Sequence, residues 1–330
     1  MKKKLRIAII GIYYGTFPNW MPYWLKSCQS NSSIDFILVT DIKDIEVPDN
    51  VRIIDMSLED FKKLAEEKLK MKISLERPYK LCDYKPVYGV ILSDYLKDYD
   101  YWGHCDFDLI WGDIRNFIEK YEIEKYDKFL PLGHLALYRN TEKCNNYYKL
   151  PGSKCGDYKK VFQSDNNFAF DETDGIYSIY KNNRLKMFTS RIFAEIKTFH
   201  KRFRLKKSDK NYKHQVFYYE DGKIYRAYAE KDKIKIQEYI YIHFRRKLPA
   251  DRLIKFGDIE DFYITNDGFI KKQKGVPTID EIEKYNCNPG ILIENFETIK
   301  FCIKNFKKMP LKMFEFINEK LQTSILYRRK

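Results

Sequence analysis

No stretch of this 330-residue chain approaches the roughly 18–20 uncharged apolar residues that a spanning helix needs. The basic start, Met1 to Arg6, leads only into Ile7-Ala-Ile-Ile-Gly-Ile12, with no small-residue cleavage site behind it. That run reads as the first strand of an α/β domain rather than as a secretion signal. Cysteine is sparse and unpatterned. The seven residues (28, 82, 105, 144, 155, 287, 302) are odd in number and form no C-x-x-C pair, which argues against a disulfide framework or a zinc knuckle and for a reducing cytoplasm. A G-x-x-x-x-G-K-[ST] phosphate loop is missing, and so is any recognition-helix, RNP or zinc signature of a nucleic-acid binder. Internal repeats and low-complexity linkers are absent as well.

What is present suits a soluble globular chain: 44% hydrophobic and 33% charged residues, enough length for a proper core, and a net charge of +14. That charge is local. Residues 197–213 and 300–330 each carry a Lys/Arg excess of seven, and the rest of the chain is balanced. In 300–330 the lysines interleave with Phe301, Ile303, Phe306, Met309, Phe314 and Ile317. This reads either as a membrane-surface helix or as a helix packed on the domain with solvated lysines.

Apolar runs at 5–11, 35–41 and 51–55, with helical spacing at 20–30 and 57–72, give the strand–helix rhythm of a parallel sheet. Asp83 and Pro86 read as the N-cap and first turn of a helix from Tyr84 to Tyr95, followed by a strand ending at Asp106. Asp113 can cap a short helix through Ile118, and 128–132 reads as a strand. Hairpins are expected around Asp221-Gly222 and Asn266-Asp267-Gly268, with one long strand over 234–244 between them. The last segment, 278–330, reads as helical. The expected organisation is a catalytic domain over 1–275 and a basic helical appendage over 276–330.

The chemistry concentrates at Trp102-Gly-His-Cys-Asp-Phe-Asp108. On an extended backbone His104, Asp106 and Asp108 share one face, while Cys105, Phe107 and Leu109 point to a core. Two carboxylates at a strand end can reach one Mg²⁺ or Mn²⁺ ion, which takes oxygen ligands together with substrate phosphates. A second D-x-D, Asp98-Tyr-Asp100, precedes the strand and reads as surface loop.

The segments 79–86, 101–113 and 133–140, then Phe170-Asp-Glu172 and 241–247, occur in an order that resembles bacterial polysaccharide-cluster glycosyltransferases of the GT-A fold. The likeness spans about residues 5–250, and 101–113 is its specific part. It implies an α/β, Rossmann-like mixed sheet flanked by helices. It also implies transfer of a hexose from a nucleotide-diphosphate sugar, with UDP the first choice, to a polysaccharide or lipid-linked glycan, with inversion. On this likeness Asp108 is the direct metal ligand, Asp106 holds ribose or a metal-bound water, and His243 completes the Mn²⁺ or Mg²⁺ site. Arg245, Arg246 and Lys247 would steady the leaving diphosphate. Asp171, with Glu172 as the alternative, would be the base. Tyr13 and Asp41 would meet the nucleotide, and His134, Tyr138 and Arg139 would line the sugar or acceptor pocket. Lys80 and Lys85 are either phosphate contacts oriented by Asp83 or exposed lysines around a helix cap. The expected setting is the cytoplasm, with the inner-membrane face as the alternative if 300–330 is a membrane-surface helix. The rivals are another metal-dependent nucleotidyl- or phosphotransferase and a basic nucleic-acid-binding protein; the missing signatures place nucleic acid outside the expected partners.

Overall fold

A computed structural model describes residues 4–197, 203–206, 210–231, 233–245 and 247–286. The first strand, β1 (Ile7–Ile12), follows from an apolar β-branched run that alternates between two cores. Ile7 and Ile9 join Trp24, Phe36 and Trp111 on one side of the sheet, and Ala8 and Ile10 join Tyr84, Trp102 and Tyr138 on the other. Helix α1 (Met21–Gln29) returns the chain to β2 (Asp35–Thr40), which is followed by β3 (Val51–Asp55) and α2 (Leu58–Leu69). Ser57 caps α2 by accepting from the Asp60 N–H.

The helix expected over 84–95 is broken. Its place is taken by α3 (Leu81–Tyr84), α4 (Tyr88–Ile91) and flanking 3-10 turns. Pro86 lacks the N–H a continuous helix would use, and Lys80 and Lys85 turn inward instead of lying on a solvated face. The chain continues into β4 (Tyr101–Cys105), β5 (Leu109–Trp111) and α5 (Ile114–Lys120), where Asp113 is the cap that was expected. Strand β6 (Lys128–Phe129) is shorter than expected because Leu130 turns to a φ of 73°. It is followed by β7 (Leu135–Arg139), β8 (Met187–Phe188) and β9 (Ala194–Glu195).

These strands form a mixed seven-stranded sheet in the order β3-β2-β1-β4-β7-β6-β8, with β3, β2, β1 and β4 parallel and β7 antiparallel to β4. The mixed α/β sheet flanked by helices agrees with the expected fold class. Strand order reverses between β1 and β4, and in open α/β sheets that switch point opens a crevice at the carboxyl ends of the strands.

Both expected hairpins form: β10 (Gln215–Glu220) with β11 (Lys223–Glu230), and β14 (Phe262–Thr265) with β15 (Gly268–Lys271). The single strand expected over 234–244 is split between two sheets. Its first part, β12 (Lys233–Tyr239), ends a five-stranded antiparallel sheet, and β13 (Tyr241–His243) joins β5 and β9 in a separate three-stranded sheet. The break falls at Ile240, whose N–H and carbonyl bond to Ile192 and Gly112 instead of to a continuing ladder. Helix α6 (Ile279–Asn286) packs Ile282 against Val216, Tyr218 and Tyr263. The basic stretch 300–330 lies outside the described residues, as do Arg246 and much of 197–213. Among the described residues no helix is long and apolar enough to cross a membrane, and the five described cysteines are unpaired.

Candidate functional site

Five chain segments, within 12–20, 78–88, 105–108, 167–172 and 243–248, enclose a cleft of about 1050 Å³ at the carboxyl ends of β1 and β4. Strand β4 ends at Cys105, and Asp106–Asp108 lie on the bend that carries the chain from the large sheet into β5. Phe107 turns into the core against Trp24 and Tyr13. It fits only because residue 11 is glycine, where a Cβ would stand 2.6 Å from the ring. With Phe107 inward, Asp106 and Asp108 both line the cleft. His104, expected on the same face, is instead fully buried between Tyr138 and Tyr88, because the strand has ended before residue 106.

The antiparallel pairing of β13 with β5 sets His243 opposite Leu109, one residue from Asp108. His243 Nε2 lies 3.2 Å from Asp108 Oδ1. One donor atom each from Asp106, Asp108 and His243 lies within 4.8 Å of the others. Two carboxylates and an imidazole suit Mn²⁺, and the carboxylates alone suit Mg²⁺. Burial would push the Asp108 carboxyl up, but the charge and hydrogen bond of His243 outweigh it and hold the group below the ordinary carboxylate value.

Lys85 ties this group to the next carboxylate. Its buried Nζ bonds Asp106 Oδ1 at 2.5 Å, Asp171 Oδ2 at 2.9 Å and the Gly133 carbonyl at 3.0 Å. Burial lowers the Lys85 pKa, but Asp106 and Asp171 override it and hold the ammonium charged. At Asp171 burial prevails over Lys85 and pushes the carboxyl up to about 6. Gly133 makes the approach possible, since a Cβ there would meet Asp171 Oδ2 at 2.3 Å.

The loop that delivers Asp171 is held by Asp83. Its carboxylate accepts from the N–H of Phe168 and of Phe170, across Ala169 in the left-handed region at a φ of 51°. Lys80 completes that clamp, donating to Asp83 and to the carbonyls of Val161 and Asn166. Asp83 therefore does not cap a helix, and Lys80 is neither exposed nor available to a phosphate: both are buried and satisfied. Asp171 caps no helix either, since the next begins at Ile176.

A second metal-ligand grouping shares His243 and adds His134 and Glu195. Glu195, which sequence reasoning did not single out, is already taken by three cations: Arg191 at 2.9 Å, Lys206 at 3.0 Å and Arg245 at 2.9 Å. A cation bound among them would meet three like charges, so Glu195 is better placed as the anchor that holds Arg245 at the cleft. Nothing in the sequence marks Glu195, because its three partners lie 4, 11 and 50 residues away.

Arg245, Lys247, Glu172 and Tyr13 also line the cleft. Asp41 does not; it is exposed just past the end of β2. His134 is buried beside Tyr241 and His243, outside the cleft lining. Tyr138 stacks on Trp102 inside the core, and Arg139 is spent on the Tyr126 carbonyl and Asp127. None of His134, Tyr138 and Arg139 lines the cleft, so they do not form a sugar or acceptor pocket there. Cleft-lining residues missed in the sequence include Tyr79, Cys82 and Asn167.

Residues 9–273 match the model of a family described as a family of unknown function, DUF6625. The chain belongs to this family. No curated protein matches the sequence. Among solved structures the DUF6625 chain is similar to the galactosyltransferase LgtC in complex with donor and acceptor sugar analogs, at 13% identity and a TM-score of 0.33 over 57% of this chain and 75% of that one. Mouse xyloside xylosyltransferase 1 aligns at 8% identity and a TM-score of 0.37 over 59% of this chain and 89% of the other. The glycosyltransferase GlyE of Streptococcus pneumoniae TIGR4 aligns at 12% and 0.29, over 56% and 45%.

Proposed function

We propose that this DUF6625 protein is a metal-dependent glycosyltransferase of the GT-A type. It would move a hexose from a nucleotide-diphosphate sugar, UDP the preferred carrier, to a hydroxyl of a cell-surface polysaccharide or lipid-linked oligosaccharide precursor. The observation that supports this reading above others is the convergence of Asp106, Asp108 and His243 in the cleft at the switch point of the sheet. Mn²⁺ or Mg²⁺ bound there would neutralise the charge that develops on a diphosphate leaving group.

The chain's own residues take the remaining roles. Asp108 and His243 offer a carboxylate and an imidazole already in contact, while Lys85 leaves Asp106 Oδ2 to the cleft. Arg245, steadied by Glu195, and Lys247 supply positive charge for the phosphates. Tyr13 supplies an aromatic surface for the base. Asp171, held near a pKa of about 6, is suited to receive the proton of an attacking hydroxyl, with Glu172 the neighbouring alternative. That role implies inversion at the anomeric carbon. A product of retained configuration removes Asp171 from it. The basic stretch 300–330 would draw the enzyme to an anionic inner-leaflet surface carrying the acceptor.

The decisive measurement is UDP release from UDP-glucose, UDP-galactose and UDP-N-acetylglucosamine with Mn²⁺, in the wild type and in Asp108→Ala. Loss of about 100-fold or more is expected from the substitution. Undiminished release in Asp108→Ala overturns the metal assignment, and failure of UDP, GDP and CMP sugars to bind overturns the donor class.

A further inference from the structure

With His134, Tyr138 and Arg139 excluded, the cleft still has a wall that no role explains. It runs through Pro78, Tyr79 and Cys82 and on to Asn167 and Ala169. The wall formed by 243–248 carries the cations suited to phosphate. On the wall of 78–88 and 167–172 the lining lysine, Lys85, is consumed by Asp106 and Asp171, and Lys80 beneath it is consumed by Asp83. A diphosphate finds nothing there. A neutral, partly apolar ligand does.

Tyr79 is 71% exposed, a large aromatic left to solvent at the lip of a cleft. It lines the same cleft as Asp106 and Asp171. Its support is rigid. The 3-10 turn Pro78–Lys80 is pinned through Lys80 to Asp83 and to the carbonyls of Val161 and Asn166. The same clamp therefore fixes both the residue after Tyr79 and the residue before Asn167. Asn167 adds an independent sign: its Oδ1 is buried and has no hydrogen-bond partner among the described residues. A buried acceptor without a partner costs on the order of 1–3 kcal/mol, which a ligand hydroxyl can offset.

We propose that Tyr79 and Asn167 form the acceptor subsite, Tyr79 stacking on the apolar C–H face of a pyranose ring and the Asn167 amide turning its unpartnered Oδ1 into the cleft to accept a hydrogen bond from one of its hydroxyls. As an acceptor site it rests on the glycosyltransferase reading; as a carbohydrate site it does not. A rigid aromatic ring with two rotatable bonds loses little entropy on stacking. Beside Asp171 and Glu172, the stacked sugar would present a hydroxyl to the carboxylates that take its proton.

The test uses the full chain and two probes, methyl β-D-glucopyranoside and methyl β-D-galactopyranoside. Binding is read by saturation-transfer NMR without donor, and donor hydrolysis is read separately without acceptor. Tyr79→Ala is expected to weaken binding of at least one glycoside about tenfold, with an unchanged melting temperature. Tyr79→Phe keeps the binding, and Asn167→Ala weakens it about fivefold. Binding in Tyr79→Ala equal to wild type, or no glycoside binding by the wild type, overturns the subsite. Hydrolysis that falls together with binding also overturns it, by assigning Tyr79 to the donor. Tyr79-dependent glycoside binding in a protein that hydrolyses no nucleotide sugar leaves the carbohydrate site standing and overturns the transferase reading.

Discussion

Lys80 and Lys85 lie in one short stretch, are both buried and are both paired with aspartate, yet they build different things. Around Lys80 every bond closes on the protein: one carboxylate, two carbonyls, and the Phe168 ring below. Around Lys85 the two carboxylates it holds also border the cleft, and Asp106 keeps one oxygen for a ligand. Burial and charge alone do not separate structure from function here. What separates them is whether the partner carboxylates have anything left to offer.

The comparison breaks most visibly at Lys80. Lys80→Met leaves the buried Asp83 side chain facing only the N–H groups of Phe168 and Phe170. Removing one member of a buried pair costs about 3–5 kcal/mol. The expected result is a fall in Tm of roughly 10 °C, with hydrolysis per folded molecule reduced through a loosened 166–172 loop. A Tm within a degree of wild type would erase the distinction.

Lys85→Met should act on chemistry more than on folding, because Asp106 can relax toward the cleft and water. UDP-sugar hydrolysis is expected to drop about 100-fold. The pH profile supplies a readout that simple destabilisation does not move. In the wild type Asp171 is protonated below about 6, so hydroxyl transfer should be lost as pH falls through that value. Lys85 lowers the Asp171 pKa, so its removal should shift the acid limb to higher pH; a limb that stays in place removes Lys85 from this role.

Much of this was legible in the sequence, and the limits have physical causes. Strands 7–12, 35–40 and 51–55 and both hairpins were readable because periodicity and turn chemistry are local. Asp106 and Asp108 stood out because they follow an apolar strand. The bend after Cys105 that carries the chain into β5, and the split at Ile240 that turns β13 toward it, depend on pairing between segments more than 100 residues apart. Such pairing leaves no local mark. The same holds for Lys85, read as an exposed lysine or a phosphate contact, whose actual partners are 21 and 86 residues away. Tyr79 passed unnoticed because exposure at a cleft lip is not a property of sequence.

A third buried lysine sharpens the contrast at the smallest effect. Lys128 is fully buried, donates to the Leu130 carbonyl and lies over the Tyr138 ring, with no bonded carboxylate of the kind that holds Lys80 or Lys85. Burial depresses its pKa to about 7, only partly resisted by the fields of Glu172 and Asp171. Below pH 7 the ammonium is charged both folded and unfolded, so the full cost of burying it is present. Between 7 and the unfolded value of about 10.4 the folded form has shed a proton that the unfolded form keeps, so wild-type stability rises with pH. Lys128→Met should therefore stabilise the protein by about 2 kcal/mol at pH 6, or roughly 5 °C, after the loss of the Leu130 bond is deducted. The gain should shrink by pH 9. Thermal unfolding of both proteins at the two pH values decides it, because a gain of the same size at pH 6 and pH 9 would mean that Lys128 is buried without a charge to desolvate.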